Sequence, residues 1–230
     1  MACALAHAQQ EKPVKSSAKS SAKPPAKTTQ ATPPAAPAIS QTAEGEVATE
    51  PVPPEITASA VTAVAKLGDE VVLGHYQVAV DRMYPPWKER TAQSMGGMEA
   101  LNQRLAGVTA QMVQQGISMI SFKPQGRPRV YEVSPGGKAV RVNGVDMQKL
   151  VYTKWLVLVP TSTQFRIFPK DKPKAVIIDS TSYQVAVSDK GKIDWTFIDG
   201  AGLNIADLRG MFSTLPKDME LPPVEKHESR

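Results

Sequence analysis

The chain has 230 residues, of which 41% are hydrophobic, 6% aromatic and 21% charged, and its formal net charge is +5. It contains one cysteine and three histidines. These counts exclude a mini-protein held by several disulfides, a zinc module with several cysteines and a membrane protein with many spans.

The first residues are similar to the end of a secretory signal. Ala6 and Ala8 stand before Gln9 as small residues stand before a cleavage site. We interpret residues 1–8 as the remnant of a signal peptide that starts further upstream, and expect a periplasmic or secreted protein. An ordinary alanine-rich start is the alternative. Cys3 is then either discarded with the signal or retained as the acceptor of a lipid anchor.

Residues 9–55 predict a disordered tether rich in Lys, Ala and Pro. Residues 1–55 hold 9 of the 20 prolines and no aromatic residue. Such a segment cannot bury enough apolar surface to offset the entropy of ordering its backbone. We therefore expect one folded domain over residues 56–215, followed by a flexible C-terminal tail at 216–230.

Helical spacing of apolar residues marks the first half of this domain. The pattern predicts a helix over 56–67 interrupted by Gly68, a second over 70–83, and a short piece near Trp87–Thr91. A longer helix begins after Gly96-Gly97 and ends at Gly116. Its apolar stripe is formed by Met98, Leu101, Leu105, Val108 and Met112.

After Gly116 the apolar period changes from helical to alternating, which is typical of strands. Strands are predicted over 117–122, 128–134, 139–145, 149–159, 164–168, 175–188 and 192–199. We expect a bulge near Asp179 and turns at Gly136-Gly137, at 170–174 and at 189–191, with a last short helix over 204–212. Helices followed by an antiparallel sheet predict an α+β fold with the helices packed on one face of a curved sheet.

Three features in this order carry a resemblance: Tyr84-Pro85, Gly96-Gly97, and the segment from Ser188 through Trp195 to Asp199. The domain resembles the nuclear-transport-factor-type (cystatin-like) α+β cone superfamily, and in particular small secreted bacterial members without an assigned function. The spacing between Gly191 and Trp195 departs slightly from their pattern. The resemblance implies a cone-shaped cavity that side chains, a ligand or a partner can fill.

Motifs for metal, nucleotide and nucleophilic chemistry are missing from the sequence. His75 is the one histidine inside the predicted domain, and no Gly-x-Ser-x-Gly or phosphate-binding glycine pattern occurs. Calcium binding by Asp189, Asp194 and Asp199 is disfavoured because the loop lacks alternating acidic residues. We expect no cofactor and no metal.

The sequence favours a non-catalytic module that binds a small apolar ligand or a protein partner in the cone or on the sheet face. The predicted binding residues are Trp155, Tyr183, Trp195 and Phe197. The alternative, implied by the resemblance, is an isomerase- or dehydratase-like enzyme. It would pair an Asp base, Asp194 or Asp179, with the hydroxyl of Tyr152 or Tyr183. Successive side chains of a strand point to opposite faces, so Asp194 would face away from a cavity that Trp195 lines.

Basic residues cluster at two predicted loops. One cluster holds Lys123, Arg127 and Arg129, and the other holds Lys170, Lys172 and Lys174. No aromatic residues are interleaved with them, so we expect no nucleic-acid partner. Weak contact with anionic envelope surfaces is the expectation, and a homodimer remains open.

Overall fold

The computed structural model describes residues 52–169 and 174–229. The predictions for the signal remnant, for Cys3, for most of the tether and for most of the 170–174 turn lie outside the described residues. The fold class is confirmed: the described domain is α+β, with helices packed against a curved antiparallel sheet.

Within residues 52–169 and 174–229, four helices precede the first strand, and a fifth lies between the last two strands. Their bounds are α1 Pro54–Val72, α2 Gln77–Asp81, α3 Pro85–Ser94, α4 Met98–Gln114 and α5 Ile205–Met211. The first helix starts at a proline in its first turn, where a missing N–H costs no hydrogen bond. A short 3₁₀ turn, Gly200–Gly202, lies just before α5.

Six strands form one sheet among the described residues. They are β1 Ile117–Pro124, β2 Arg129–Val142, β3 Val145–Ile167, β4 Val176–Asp189, β5 Thr196–Asp199 and β6 Glu225–Glu228. The long strands β3 and β4 pair at the centre. On its other side, β3 pairs with β2 along its first part and with β1 along its last part. On its other side, β4 pairs with β6 near its start and with β5 near its end.

The middle of β3, from Trp155 to Val159, is buried on both faces. On one face, Trp155, Val157 and Val159 pack under α1 in a core of buried apolar residues. On the other face, Leu156 and Leu158 join a second core that includes Phe212 after α5. The prediction of helices on one face describes α1 and α4, and the structure adds that the C-terminal segment covers the opposite face.

The first helix runs through Gly68 without interruption, so the predicted break there is wrong. Gly68 is needed for close packing: a Cβ at this position would lie 1.9 Å from Cδ1 of Phe122. The helix ends instead near Gly74, whose φ of +88° lies in the left-handed region that favours glycine. The second helix is therefore shorter than predicted.

Two details of the predicted sheet are also wrong. Gly136-Gly137 is not a hairpin tip but pairs within β2 opposite Leu150 and Val151. The turn lies at Asn143-Gly144, where both residues have positive φ, as a tight two-residue hairpin requires. The bulge lies in β1 between Met119 and Ser121, whereas the pairing of β4 is continuous through Asp179.

Residues predicted as a flexible C-terminal tail belong to the folded domain. Met219 is buried in the second core, and β6 pairs with β4. The guanidinium of Arg129 donates to the carbonyl of Glu220 at 2.7 Å. The described domain therefore extends past residue 215.

Candidate functional site

A cavity of about 150 Å³ lies between α4 and the sheet, beyond the part of the sheet that α1 covers. Its apolar wall includes Val108, Met112, Met119, Phe165, Ile167 and Ile178. The apolar stripe of α4 contributes two of these, because Val108 and Met112 follow Leu101 and Leu105 at helical spacing. The phenol of Tyr76 lies on the same lining, and partial burial raises its pKa.

The floor of this cavity is polar, although it belongs to the face of the sheet that elsewhere carries Trp and Val. Four hydroxyl-bearing residues occupy neighbouring positions of β3 and β4, since Thr161 is registered opposite Ser182, and Thr163 opposite Ser180. The amide of Gln184 and the carboxylate of Asp199 continue this polar floor toward β5.

Two of the hydroxyls lack a hydrogen-bond partner within the described part of the chain: Thr161 Oγ1 and Ser182 Oγ, both buried. A buried polar group without a partner costs about 1–3 kcal/mol. The pair therefore gives the cavity two donor and acceptor groups that a bound oxygen or nitrogen atom would satisfy.

The carboxylate of Asp199 is held in a fixed position at the end of β5. Its Oδ1 accepts from Gln184 Nε2 at 3.3 Å and from the backbone N–H of Ala201 at 3.3 Å. The second contact caps the 3₁₀ turn that follows β5. Lys226 of β6, registered opposite Ser180, contributes a cation to the lining.

The structure brings together three of the four predicted binding residues, but not on this cavity. Trp155, Trp195 and Phe197 are buried in the core beneath α1. The indole N–H of Trp195 donates to Ser59 Oγ at 3.2 Å, and Lys190 Nζ lies 4.5 Å from the ring centroid of Trp155. Their contacts are those of packed core residues.

Tyr183, the fourth predicted binding residue, lies on the opposite face of the sheet. It is 1% exposed within the second core, and burial raises its pKa to about 12. The ring packs over Gly200, where a Cβ would meet its Cε2 at 2.6 Å. It is therefore separated from the cavity by the sheet itself.

The acids predicted for the alternative enzyme do not line this cavity. Asp194 is exposed and bonds to Arg82 at 2.5 Å. Asp179 precedes Ser180 in β4 and therefore points to the opposite face of the sheet. Its Oδ1 accepts a hydrogen bond from Gln164 Nε2 at 2.8 Å. Tyr152 and Tyr183 also point to that opposite face.

The polar floor is what reasoning from the sequence missed. Its signal was present as two short hydroxyl runs, Thr161-Ser162-Thr163 and Ser180-Thr181-Ser182, each interrupting a strand of apolar residues. Alternate members of each run point to one face of a sheet. The register that places the two runs opposite each other is a non-local property that the pattern alone does not give.

The remaining observations concern His75, the clustering of possible metal ligands and the lengths of the helices in residues 52–169 and 174–229. His75 Nδ1 bonds to Glu70 Oε2 at 2.7 Å on the surface. No cluster of three or more His, Cys, Asp or Glu side chains suitable for a metal ion occurs in this part of the chain. Within the same ranges, no helix has the length and apolar character to cross a bilayer.

Comparisons with protein-family models, curated protein sequences and solved structures give no match for this chain.

Proposed function

We propose that this chain is an exported binding module that holds a small, mainly apolar ligand in the cavity between α4 and the sheet. The observation that carries the proposal is the pair of buried hydroxyls, Thr161 Oγ1 and Ser182 Oγ, on the floor of an otherwise apolar cavity. A core selected only for packing would place Val or Leu at these positions.

The dimensions and chemistry of the cavity suggest the class of ligand. A volume of about 150 Å³ corresponds to a molecule with one six-membered ring. Apolar walls favour a hydrocarbon ring, and the hydroxyl floor favours one oxygen substituent. We therefore propose a ring-sized phenol, alcohol or ketone as the ligand class.

A matched pair of probes tests this proposal. p-Cresol and toluene have nearly the same shape, but only p-cresol carries a hydroxyl. We expect p-cresol to bind about tenfold more tightly, measured as NMR shifts of the methyl groups of Val108 and Met112, because its hydroxyl satisfies a buried partner. In the double variant Thr161→Val, Ser182→Ala this preference should disappear.

The control is the same chemical change on the opposite face of the same strands, Ser162→Ala with Thr181→Val. This variant should keep the preference for p-cresol. Equal binding of the two probes to the unmodified protein, or no binding of either, would contradict the proposal.

A second candidate function rests on a different observation: Asp199 and Tyr76 both line the cavity. A carboxylate and a phenol in one cavity are the groups that an isomerase- or dehydratase-like proton transfer uses. The test is exchange of the α-protons of cyclohexanone with deuterated water. If this function is present, exchange depends on the protein and is lost in Asp199→Asn but retained in Asp179→Asn.

Export is part of the proposal and rests on the residues around Ala6, Ala8 and Gln9. We propose a periplasmic or secreted location, with Cys3 as the lipid acceptor if the chain is anchored. Sequencing the N-terminus of the protein from its native cells tests this. A first residue of Gln9 supports cleavage and a lipid-blocked Cys3 supports anchoring, whereas an intact Met1 contradicts export.

A further inference from the structure

The hairpin of β2 and β3 extends beyond the rest of the sheet as a two-stranded ribbon. Pairing of β3 with β4 begins at Lys154, so the part of β3 before it pairs with β2 alone. We call residues 136–151 the ribbon. From Gly137 to Lys149 every residue except the half-buried Val140 is exposed. Seven residues per strand give the ribbon a length of roughly 23 Å.

One face of the ribbon is an apolar stripe. The cross-strand pairs Val142 with Val145 and Val140 with Met147 point to the same side, as does Val151. Val145 is 63% exposed and Met147 55% exposed. On the opposite face, Arg141 Nε lies 3.8 Å from Asp146 Oδ1. An apolar stripe exposed to water is the kind of surface that a partner covers.

Two lysines lie on the same face, between the Val140–Met147 pair and Val151 near the base of the ribbon. Lys138 and Lys149 are registered directly opposite each other on the apolar face, and both are exposed. Like charges at directly opposed positions destabilise a strand pair. An anion placed against both lysines would remove this repulsion. The face therefore suits a partner that is both apolar and negatively charged.

We propose that the ribbon lays its apolar stripe on an anionic lipid surface, with Lys138 and Lys149 against the headgroup phosphates. A lipid surface offers acyl chains beside negative headgroups, which matches four exposed apolar side chains beside two cations. A second copy of the chain fits less well, because its identical stripe adds two lysines and offers no acidic residue to pair with them. Nucleic acid fits less well because the stripe carries no aromatic residue.

Co-sedimentation of the full-length protein with vesicles tests the proposal. One set of vesicles contains phosphatidylcholine with phosphatidylglycerol, and the other contains phosphatidylcholine alone. We expect binding to the anionic vesicles that weakens as salt rises. Each lysine near an anionic surface contributes about fivefold in affinity, so Lys138→Gln with Lys149→Gln should reduce binding roughly 25-fold.

The apolar contribution is tested separately by Val145→Thr with Met147→Thr, which keeps residues that suit a strand. We expect at least about a tenfold loss of binding. Two controls accompany these variants. Ala139→Ser with Gln148→Thr changes the opposite face of the ribbon and should keep binding near that of the unmodified protein. Lys123→Gln with Arg127→Gln removes the same charge from a loop for which only weak contact is expected, and should reduce binding much less than the lysine variant.

Three results would overturn the proposal. The first is an equal loss in the loop control and the lysine variant, which would indicate general charge attraction. The second is unchanged binding in both ribbon variants. The third is a concentration-dependent dimer in lipid-free sedimentation that the Val145→Thr, Met147→Thr variant abolishes, since the stripe would then bind a second copy. Unchanged circular dichroism of each variant establishes that the domain stays folded.

Discussion

The buried hydroxyl of Thr161 belongs to a side chain that is 1% exposed and finds no partner for its Oγ1 among the described residues. Thr161→Val keeps the shape of the side chain and removes the polar atom. We expect the free energy of unfolding, measured by urea denaturation, to rise by about 1 kcal/mol. If a ligand occupies the cavity, the same change weakens binding, so stability and function would move in opposite directions at this position.

Thr153→Val is the comparison for a bonded hydroxyl, because the hydroxyl of the exposed Thr153 donates to the carbonyl of Ser134. Removing a bonded hydroxyl should lower stability by about 0.5–1 kcal/mol. A stability loss of similar size in both variants would mean that Thr161 has a hydrogen-bond partner after all.

Acid sensitivity is expected at Asp189, where hydrogen bonds from the ammonium groups of Lys154 and Lys192 lower the pKa below its ordinary value of 3.8. A group whose pKa is lower in the folded state stabilises the fold above its unfolded pKa, and this contribution is lost as the pH falls through the folded pKa. Because 43% of the Asp189 side chain is exposed, we expect a contribution below about 1 kcal/mol at neutral pH.

The measurement is the urea midpoint of the unmodified protein and of Asp189→Asn, followed from neutral pH to below 3.8. The two midpoints should differ at neutral pH and converge in acid. Asp218→Asn, a change at an exposed side chain of the C-terminal segment, should follow the unmodified protein throughout. A constant gap between the first two proteins at every pH would contradict the assignment.

At the scale of the elements, a glycine inside a helix has opposite effects at two positions. Alanine favours a helix over glycine by about 1 kcal/mol. At Gly107 of α4 a Cβ would meet nothing within 4 Å, whereas at Gly68 of α1 it would lie 1.9 Å from Phe122. We expect Gly107→Ala to raise the free energy of unfolding by up to about 1 kcal/mol.

For Gly68→Ala we expect a net loss of about 1–2 kcal/mol, because the clash with Phe122 outweighs the gain in helix propensity. Thermal or urea unfolding of the two variants side by side measures the difference. A stabilised Gly68→Ala would mean that the helix and β1 can separate without cost, and the close approach would then not explain this glycine.

The same glycines show what the sequence can predict about the elements. Periodicity located α4 and its ends, since Leu101 and Leu105 are buried and Gly116 follows the helix with a positive φ. It could not distinguish a glycine that turns the chain from one that admits a neighbouring ring. That distinction depends on Phe122, a residue far along the chain from Gly68.

The candidate site follows the same division. The sequence predicts hydroxyl-bearing residues at alternate strand positions, but the pairing of Thr161 with Ser182 is set by a register spanning two long strands. Large aromatic residues suggested a binding face, but Trp155 and Trp195 are buried in the core under α1. Polar residues in an apolar strand were the more informative signal.

At the scale of the whole molecule, the sheet is a central layer with a core on each side. The second core depends on residues after α5, including Leu215 and Met219. Arg209 Nη2 donates to the carbonyl of Lys217 at 2.7 Å, and the N–H of Ser134 donates to Thr214 Oγ1 at 3.2 Å. This segment thus covers one face of the sheet although it contains no helix or strand before β6.

Two truncations separate the contributions of β6 and of this covering segment. A chain that ends at Pro223 loses β6 and its flanking residues. The side chains of β6 are exposed, and the strand is held by its backbone pairing with β4. We expect a small decrease in the urea midpoint. A chain that ends at Ser213 also loses Leu215 and Met219, which are 6% and 5% exposed, and burial of two such side chains contributes about 3–6 kcal/mol.

Such a loss is a large part of the 5–15 kcal/mol that stabilises a typical domain, so the shorter chain should unfold at a much lower urea concentration or fail to fold. Fluorescence of a hydrophobic dye should rise with it, since Leu156 and Leu158 would lose their cover. Equal midpoints for the chain ending at Ser213 and the full chain would instead mean that residues after α5 add no stability, as expected of a flexible tail. In that case α5 and Phe212 would cover the second face of the sheet without the residues that follow them.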